Sequence, residues 1–205
     1  MSKNWLISYP KSGSNLIRYC IEFLTKKPTQ GLKRLYPSND TNKLILFRSH
    51  DPTEENHEEI NENDNLIFLI RNYQELILRP QPIFNDIGTI TRNYKRLLDF
   101  YSSFGGNKII LYYEDLLKDF NFIDTIVTHY KLNVIEDINK FKKNENYHRE
   151  RSLAVGNTSY SKGKNINFYV ENKKINRVSL IKNEKYFKSG VGENYYDSIF
   201  KRYEI

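Results

Sequence analysis

A single cysteine, Cys20, in 205 residues cannot close an internal disulfide and supplies no thiolate cluster, which excludes a disulfide scaffold and a structural zinc site built on cysteine. Only 9 glycines and 6 prolines are present, too few for a collagen-like or proline-rich linker protein. No apolar run approaches the ~18 to 20 residues that span a bilayer, and Met1-Ser-Lys-Asn-Trp5 lacks the apolar core and cleavage site of a secretory signal. These absences lead to the expectation of a cytoplasmic protein in a reducing compartment, with no membrane contact.

With 39% hydrophobic and 28% charged residues, the chain can bury one core, and residues 1–205 are expected to form one domain. The net charge of +7 implies an anionic partner: nucleic acid, a phosphorylated cofactor or an acidic surface. Asn, Ile, Lys and Tyr (16 Tyr) are abundant, a bias that AT-rich coding produces by itself, so charge does not select among these.

Four short, continuous apolar runs, 5–7, 44–47, 66–70 and 109–112, have the character of strands buried on both faces of a parallel sheet. Between them lie segments with helical spacing. Leu16, Ile17, Cys20, Ile21, Phe23 and Leu24 mark one face of a helix opening near Ser14. A second helix is predicted over 87–103, with Ile90, Tyr94, Leu97, Leu98 and Tyr101 on one face, and a third over 122–130. The acidic stretch 51–65 is expected to be a solvated loop, and the chain beyond about Asn133 irregular until a short helix over 195–203. Alternating strands and helices predict an α/β fold in three layers around a mainly parallel sheet, with ligands beyond the carboxyl ends of the strands.

The residues after each strand are therefore the candidates. After the first comes Tyr9-Pro-Lys-Ser-Gly-Ser-Asn-Leu16, running straight into a helix. Pro10 stops the strand, Gly13 lets backbone approach a ligand, and Ser12, Ser14 and Asn15 surround the helix amino end. With Lys11 these make a phosphate cradle. It is not a Walker A loop, because GxxxxGK[ST] places lysine at the end of the loop and here Lys11 stands at its start.

This loop resembles the PKSGTTW signature of the sulfotransferases that use 3′-phosphoadenosine 5′-phosphosulfate (PAPS), where it binds the 5′-phosphosulfate. Further segments match in the family's order. Arg48-Ser-His-Asp-Pro52 is similar to KTHLP, Ile70-Arg-Asn-Tyr-Gln-Glu-Leu76 to VRNPKDV, and Tyr112-Tyr-Glu-Asp-Leu116 to the YEDL segment. Near the end, Lys188-Ser-Gly-Val-Gly-Glu-Asn194 with Phe200 resembles RKGxxGDW…F, one residue shorter between the glycines. Departures accompany the matches. Leu16 stands where the family has the tryptophan that stacks on adenine, and Arg79 where it has a serine on the 3′-phosphate.

The resemblance implies a P-loop nucleotide-hydrolase-like sulfotransferase fold. It implies an enzyme that moves the sulfuryl group of PAPS to a hydroxyl or amine of a small-molecule or glycan acceptor, releasing 3′-phosphoadenosine 5′-phosphate (PAP), with no metal. Lys11 then stabilises the leaving phosphate, His50 takes the acceptor proton, and Arg48 helps to hold the sulfuryl group. Ser12, Gly13, Ser14, Asn15 and Leu16 line the cofactor. Arg71, Arg79, Lys188, Ser189 and Gly190 bind the 3′-phosphate, and Tyr113 touches the adenine. Nucleic acid is disfavoured as a partner under this reading.

Each residue also has a plainer role: His50 as an ordinary strand-end histidine, His57 solvated, His129 structural, His148 in an exposed basic turn or at the acceptor site, Glu114 and Asp115 as a helix cap and first-turn carboxylate. Two other functions fit parts of the pattern, a P-loop-type kinase for a small molecule or nucleotide and a non-catalytic nucleotide-binding protein.

Overall fold

The computed structural model describes residues 2–37, 43–52, 60–71 and 87–156. Within them, the apolar runs form parallel strands β1 (Asn4–Ser8), β2 (Phe47–Ser49), β3 (Asn65–Ile70) and β4 (Asn107–Tyr112), in the order β2-β1-β3-β4. The helices are α1 (Ser14–Thr25), α2 (Ile87–Ser103), α3 (Tyr113–Lys118), α4 (Phe122–Tyr130), α5 (Ile138–Lys143) and α6 (Glu145–Gly156). The chain is thus α/β, with a four-stranded parallel sheet. No described helix is long and apolar enough to cross a membrane.

Strand residues alternate between two apolar layers, which is why the runs are unbroken rather than alternating with polar residues. Trp5, Ile7 and Tyr9 with Leu66, Phe68 and Ile70 meet Tyr94, Leu97 and Leu98 of α2 on one face. Leu6, Ile67, Leu69 and Leu111 meet Ile17, Cys20, Ile21 and Leu24 of α1 and Ile123 and Ile126 of α4 on the other. Register carries the same alternation across the sheet: Leu6 pairs with Arg48 and Ile67, Ile7 with Ser49 and Phe68.

The second strand begins later than its apolar run. Leu46 makes only an isolated bridge with Thr29, and the upstream backbone bonds outward: the Ile45 N–H donates to Pro28 O at 3.1 Å and the Gln30 N–H to Leu46 O at 2.9 Å. The strand paired with β1 is therefore Phe47–Ser49, and Leu44 is partly exposed. The acidic stretch 51–65 also differs where it is described. Its Asp64 is buried, accepting from the Lys3 N–H at 2.7 Å, the Trp5 indole at 3.1 Å and the Asn61 N–H at 3.0 Å, and so ties the start of β3 to β1.

Beyond Asn133 two helices stand where irregular chain was expected. Asp137 caps α5 by accepting from the N–H groups of Asn139 and Lys140 at 2.8 and 3.1 Å. In α6 the buried positions are His148 and Ser152, so apolar periodicity does not reveal its inner face. The helix expected over 195–203 lies outside the described residues.

A buried ion pair anchors the segment that follows α1. Arg18 and Glu22, one turn apart, are 2% and 0% exposed, with Arg18 Nη2 at 3.5 Å from Glu22 Oε1. Arg18 donates to Thr29 Oγ1 at 2.9 Å and to Lys33 O at 2.8 Å. Glu22 accepts from Thr29 Oγ1 at 2.5 Å and from the N–H groups of Thr29, Leu35 and Tyr36 at 3.3, 2.6 and 2.9 Å. Residues 29–36 are thereby fixed to α1 although Gly31, Leu32, Lys33 and Arg34 are exposed.

Candidate active site

The strand order changes direction at β1: the chain leaves it toward β2, then crosses back to β3. In open parallel sheets the crevice beyond the carboxyl ends at such a switch point is where ligands sit. The loop 9–13 occupies that position, between the end of β1 and α1.

The loop is tightly wound. The Ser12 N–H donates to Tyr9 O at 3.2 Å, and Lys11 and Gly13 have φ of 70° and 94°. Left-handed backbone is ordinary for glycine and costs a lysine about 1 kcal/mol, so other contacts must hold Lys11. Arg71, at the end of β3, is one of them: its Nη1 donates to Lys11 O at 3.1 Å. Arg71 is itself placed from two sides. Its guanidinium lies 3.9 Å from the ring centre of Tyr113, the first residue of α3, and its carbonyl accepts from the Tyr94 hydroxyl of α2 at 2.7 Å. The Tyr113 ring also closes on Gly13, where a Cβ would fall 2.6 Å from Tyr113 Cδ2. Lys11, Gly13, Arg71 and Tyr113, from three separate segments, are one contact group.

Gly13 caps α1 without a side-chain hydrogen bond, and Ser12 and Ser14 are buried beneath the loop. The Ser12 hydroxyl is a buried polar atom with no hydrogen-bond partner among the described residues. The Asn15 amide oxygen accepts from Arg18 Nη1 at 3.2 Å, so this side chain turns toward α1 and the Arg18 network.

His50 follows β2, on the other side of β1 from Arg71. Its Nδ1 lies 2.6 Å from Ser8 O and 3.4 Å from Ser8 Oγ. A carbonyl only accepts, so Nδ1 carries the proton in the neutral ring and Nε2 keeps its lone pair. Arg48 lies two residues earlier, on the same face of the strand. It is half-buried, its N–H donates to Gln30 Oε1 at 2.7 Å, and burial lowers the pKa of its guanidinium. Arg18 is pushed down to about 10, by burial first and then by the charge of Arg48, with Glu22 opposing.

Other candidates fall away from this group. Cys20 is buried in the α1 core, and burial pushes its thiol well up, opposed by Arg149 and a backbone hydrogen bond. His129 Nε2 donates to Leu66 O at 3.1 Å, a structural role. His148 is neither in an exposed turn nor at the crevice: it is 4% exposed, its ring centre 3.9 Å from that of Phe141, and its Nδ1 shares a hydrogen bond with the Tyr19 hydroxyl at 3.1 Å. Asp115 pairs with Lys118 at 2.9 Å, as a helix-surface carboxylate does. His57, Arg79, Lys188, Ser189 and Gly190 lie outside the described residues.

Burial first, and then the Lys26 charge, lower the pKa of His148 below its ordinary 6.5. The unfolded chain therefore takes up this proton more readily than the folded one. Stability from the buried neutral ring is complete above the unfolded value and falls as pH drops below it toward the folded value. The midpoint of thermal unfolding is expected to decrease between about pH 7 and 5.5, less steeply in His148→Phe. The slope does not vanish, because burial lowers His129 too, against its bond to Leu66 O. An equally steep fall in His148→Phe would remove His148 as the cause.

Sequence reasoning found the members of the contact group but not how they hold one another. Tyr94 was read only as part of an apolar face, and its hydroxyl fixes Arg71; a tyrosine at an inward position of an amphipathic helix was the available sign. Among the described residues no group of three or more His, Cys, Asp or Glu is arranged to hold a metal ion. No protein-family model matches this chain, and no curated protein matches it.

Proposed function

We propose that the protein is a PAPS-dependent sulfotransferase with the P-loop-like fold of that family, acting on a hydroxyl or amine of a small molecule or glycan. The observation that carries this reading is the contact of Arg71 with both the Lys11 carbonyl and the Tyr113 ring. Three segments singled out separately along the chain meet at the switch point, as one bound nucleotide would require. The residues also fit an anionic cofactor. The buried Ser12 hydroxyl needs a partner, and the left-handed Gly13 leaves the loop backbone without a Cβ at the helix amino end.

Bound there, PAPS supplies an activated sulfuryl group and a phosphate leaving group. Lys11, exposed at the crest of the loop, is the cation for charge that develops on the leaving phosphate. Arg71 gives the 3′-phosphate a planar fork already oriented by Tyr94 and Tyr113. His50, with Nδ1–H held by Ser8 O, presents Nε2 to the acceptor and takes its proton as the acceptor attacks. The loop and Arg71 stand on one side of β1 and His50 on the other, so cofactor and acceptor approach from opposite sides of the strand.

Calorimetric titration with PAP, and with ATP, each with and without magnesium, tests this. PAP is expected to bind without magnesium, and Arg71→Ala to weaken it about tenfold or more, the loss of a charged hydrogen bond. Binding of ATP only with magnesium, and none of PAP, would replace this reading with that of a kinase.

A further inference from the structure

Arg48, which the resemblance assigns to the sulfuryl group, stands in surroundings that also suit a separate anion. The described residues bring no carboxylate to its guanidinium, although it is half-buried. Asp51, the described acid nearest in sequence, pairs with Arg96 of α2 at 3.1 Å. The neighbouring guanidinium of Arg18 adds like charge and is itself neutralised by Glu22. A partly desolvated arginine beside another cation is stabilised by an anion, and no described residue supplies one at this place.

The position of that missing anion follows from the sheet. Arg48 and His50 lie on β2 and just beyond it, with β1 between them and the Arg71–Tyr113 side. Next to Arg48 runs the 29–36 segment, joined to it by Gln30 Oε1. Exposed loops are usually loosely held, yet this one is fixed to α1 through Thr29, Lys33, Leu35 and Tyr36. What it carries outward is Lys33 and Arg34. A basic loop held to α1 thus stands beside a guanidinium that no described carboxylate faces, on the side from which the acceptor would reach His50.

We propose that the acceptor is an anion, and that a carboxylate, sulfate or phosphate group on it seats against Arg48 under the Lys33–Arg34 loop while its hydroxyl or amine meets His50. This rests on the sulfotransferase reading. It narrows the acceptor class from any alcohol, phenol or amine to those carrying an oxyanion a short distance from the nucleophile, such as acidic sugars or hydroxy acids.

Inorganic sulfate is the probe, titrated by calorimetry at constant ionic strength into the protein alone and into protein saturated with PAPS. With PAPS bound, the sulfuryl position is filled. Sulfate is then expected to bind PAPS-saturated protein, with its affinity lowered about tenfold or more in Arg48→Gln, as for a lost charged hydrogen bond. Exclusion of sulfate by PAPS would place Arg48 on the transferred sulfuryl group and overturn the proposal, a comparison that needs no variant. Sulfate binding indifferent to Arg48→Gln, or no sulfate binding, would overturn it too. Failure of PAPS itself to bind would instead sink the sulfotransferase reading, whatever sulfate does, so the two failures are distinguishable.

Discussion

Alanine at His50 is expected to reduce acceptor-dependent release of PAP by ~10²- to 10⁴-fold, the range for loss of a general base, with PAP affinity unchanged. The expectation rests on the tautomer. A 2.6 Å bond from Nδ1–H to the Ser8 carbonyl leaves the lone pair on Nε2 and fixes the ring plane by a backbone atom of the central strand. The imidazole is therefore preorganised in apo protein. Because His50 stands across β1 from Arg71 and Tyr113, removing it leaves the proposed nucleotide contacts intact, which separates a chemical role from a binding one. Coupled detection of PAP over a mixed acceptor panel provides the rate, and calorimetry the affinity. Unchanged turnover, or a parallel loss of PAP affinity, would remove His50 from the base role.

Glutamine at Glu22 is expected to destabilise the fold by about 3–5 kcal/mol, the cost of breaking a buried ion pair from one side. Glu22 is fully buried and accepts four hydrogen bonds besides facing Arg18. An amide of the same shape turns an NH2 group toward donors and leaves Arg18 buried without its charge. Urea unfolding reads the loss, and hydrogen exchange should show the amides of Leu35 and Tyr36 losing protection first. The pair Arg18→Met with Glu22→Leu is expected to cost less than Glu22→Gln alone, since both charges go together. A loss in Glu22→Gln below about 1 kcal/mol, the scale of one ordinary hydrogen bond, would mean the network does not hold the loop. Because that loop flanks Arg48, the same variant would also weaken sulfate binding to PAPS-saturated protein.

The parallel sheet was legible because both faces of each strand are buried, leaving runs such as Leu66-Ile-Phe-Leu-Ile70 unbroken. Helices α1, α2 and α4 were legible because each has a single apolar stripe. What stayed hidden depends on polar residues in buried places. Asp64 looked like one more acid in an acidic stretch, and three hydrogen bonds make it a core residue. Glu22 and Arg18 lie off the apolar positions that mark α1, yet both are buried. His148 and Ser152 gave α6 an inner face that hydropathy scores as outer. In the candidate site, residue types and order were readable, but Arg71 on Tyr113 and the Nδ1 bond of His50 are long-range contacts that no local pattern encodes.

Strand β1 precedes its sheet partners along the chain and is completed late. Its neighbours in the sheet begin at Phe47 and Asn65, the Tyr130 hydroxyl closes on the Trp5 carbonyl at 2.6 Å, and the Asn4 amide reaches Ile45 O and Tyr130 O. A strand this apolar, waiting for partners up to 126 residues away, makes folding slow and leaves a sticky segment open on the ribosome. Fragments ending before α4 would lack Tyr130, which closes on β1, and are expected to aggregate rather than fold. The strand that positions both Lys11 and Ser8 is thus also the one whose exposure chaperones would have to manage.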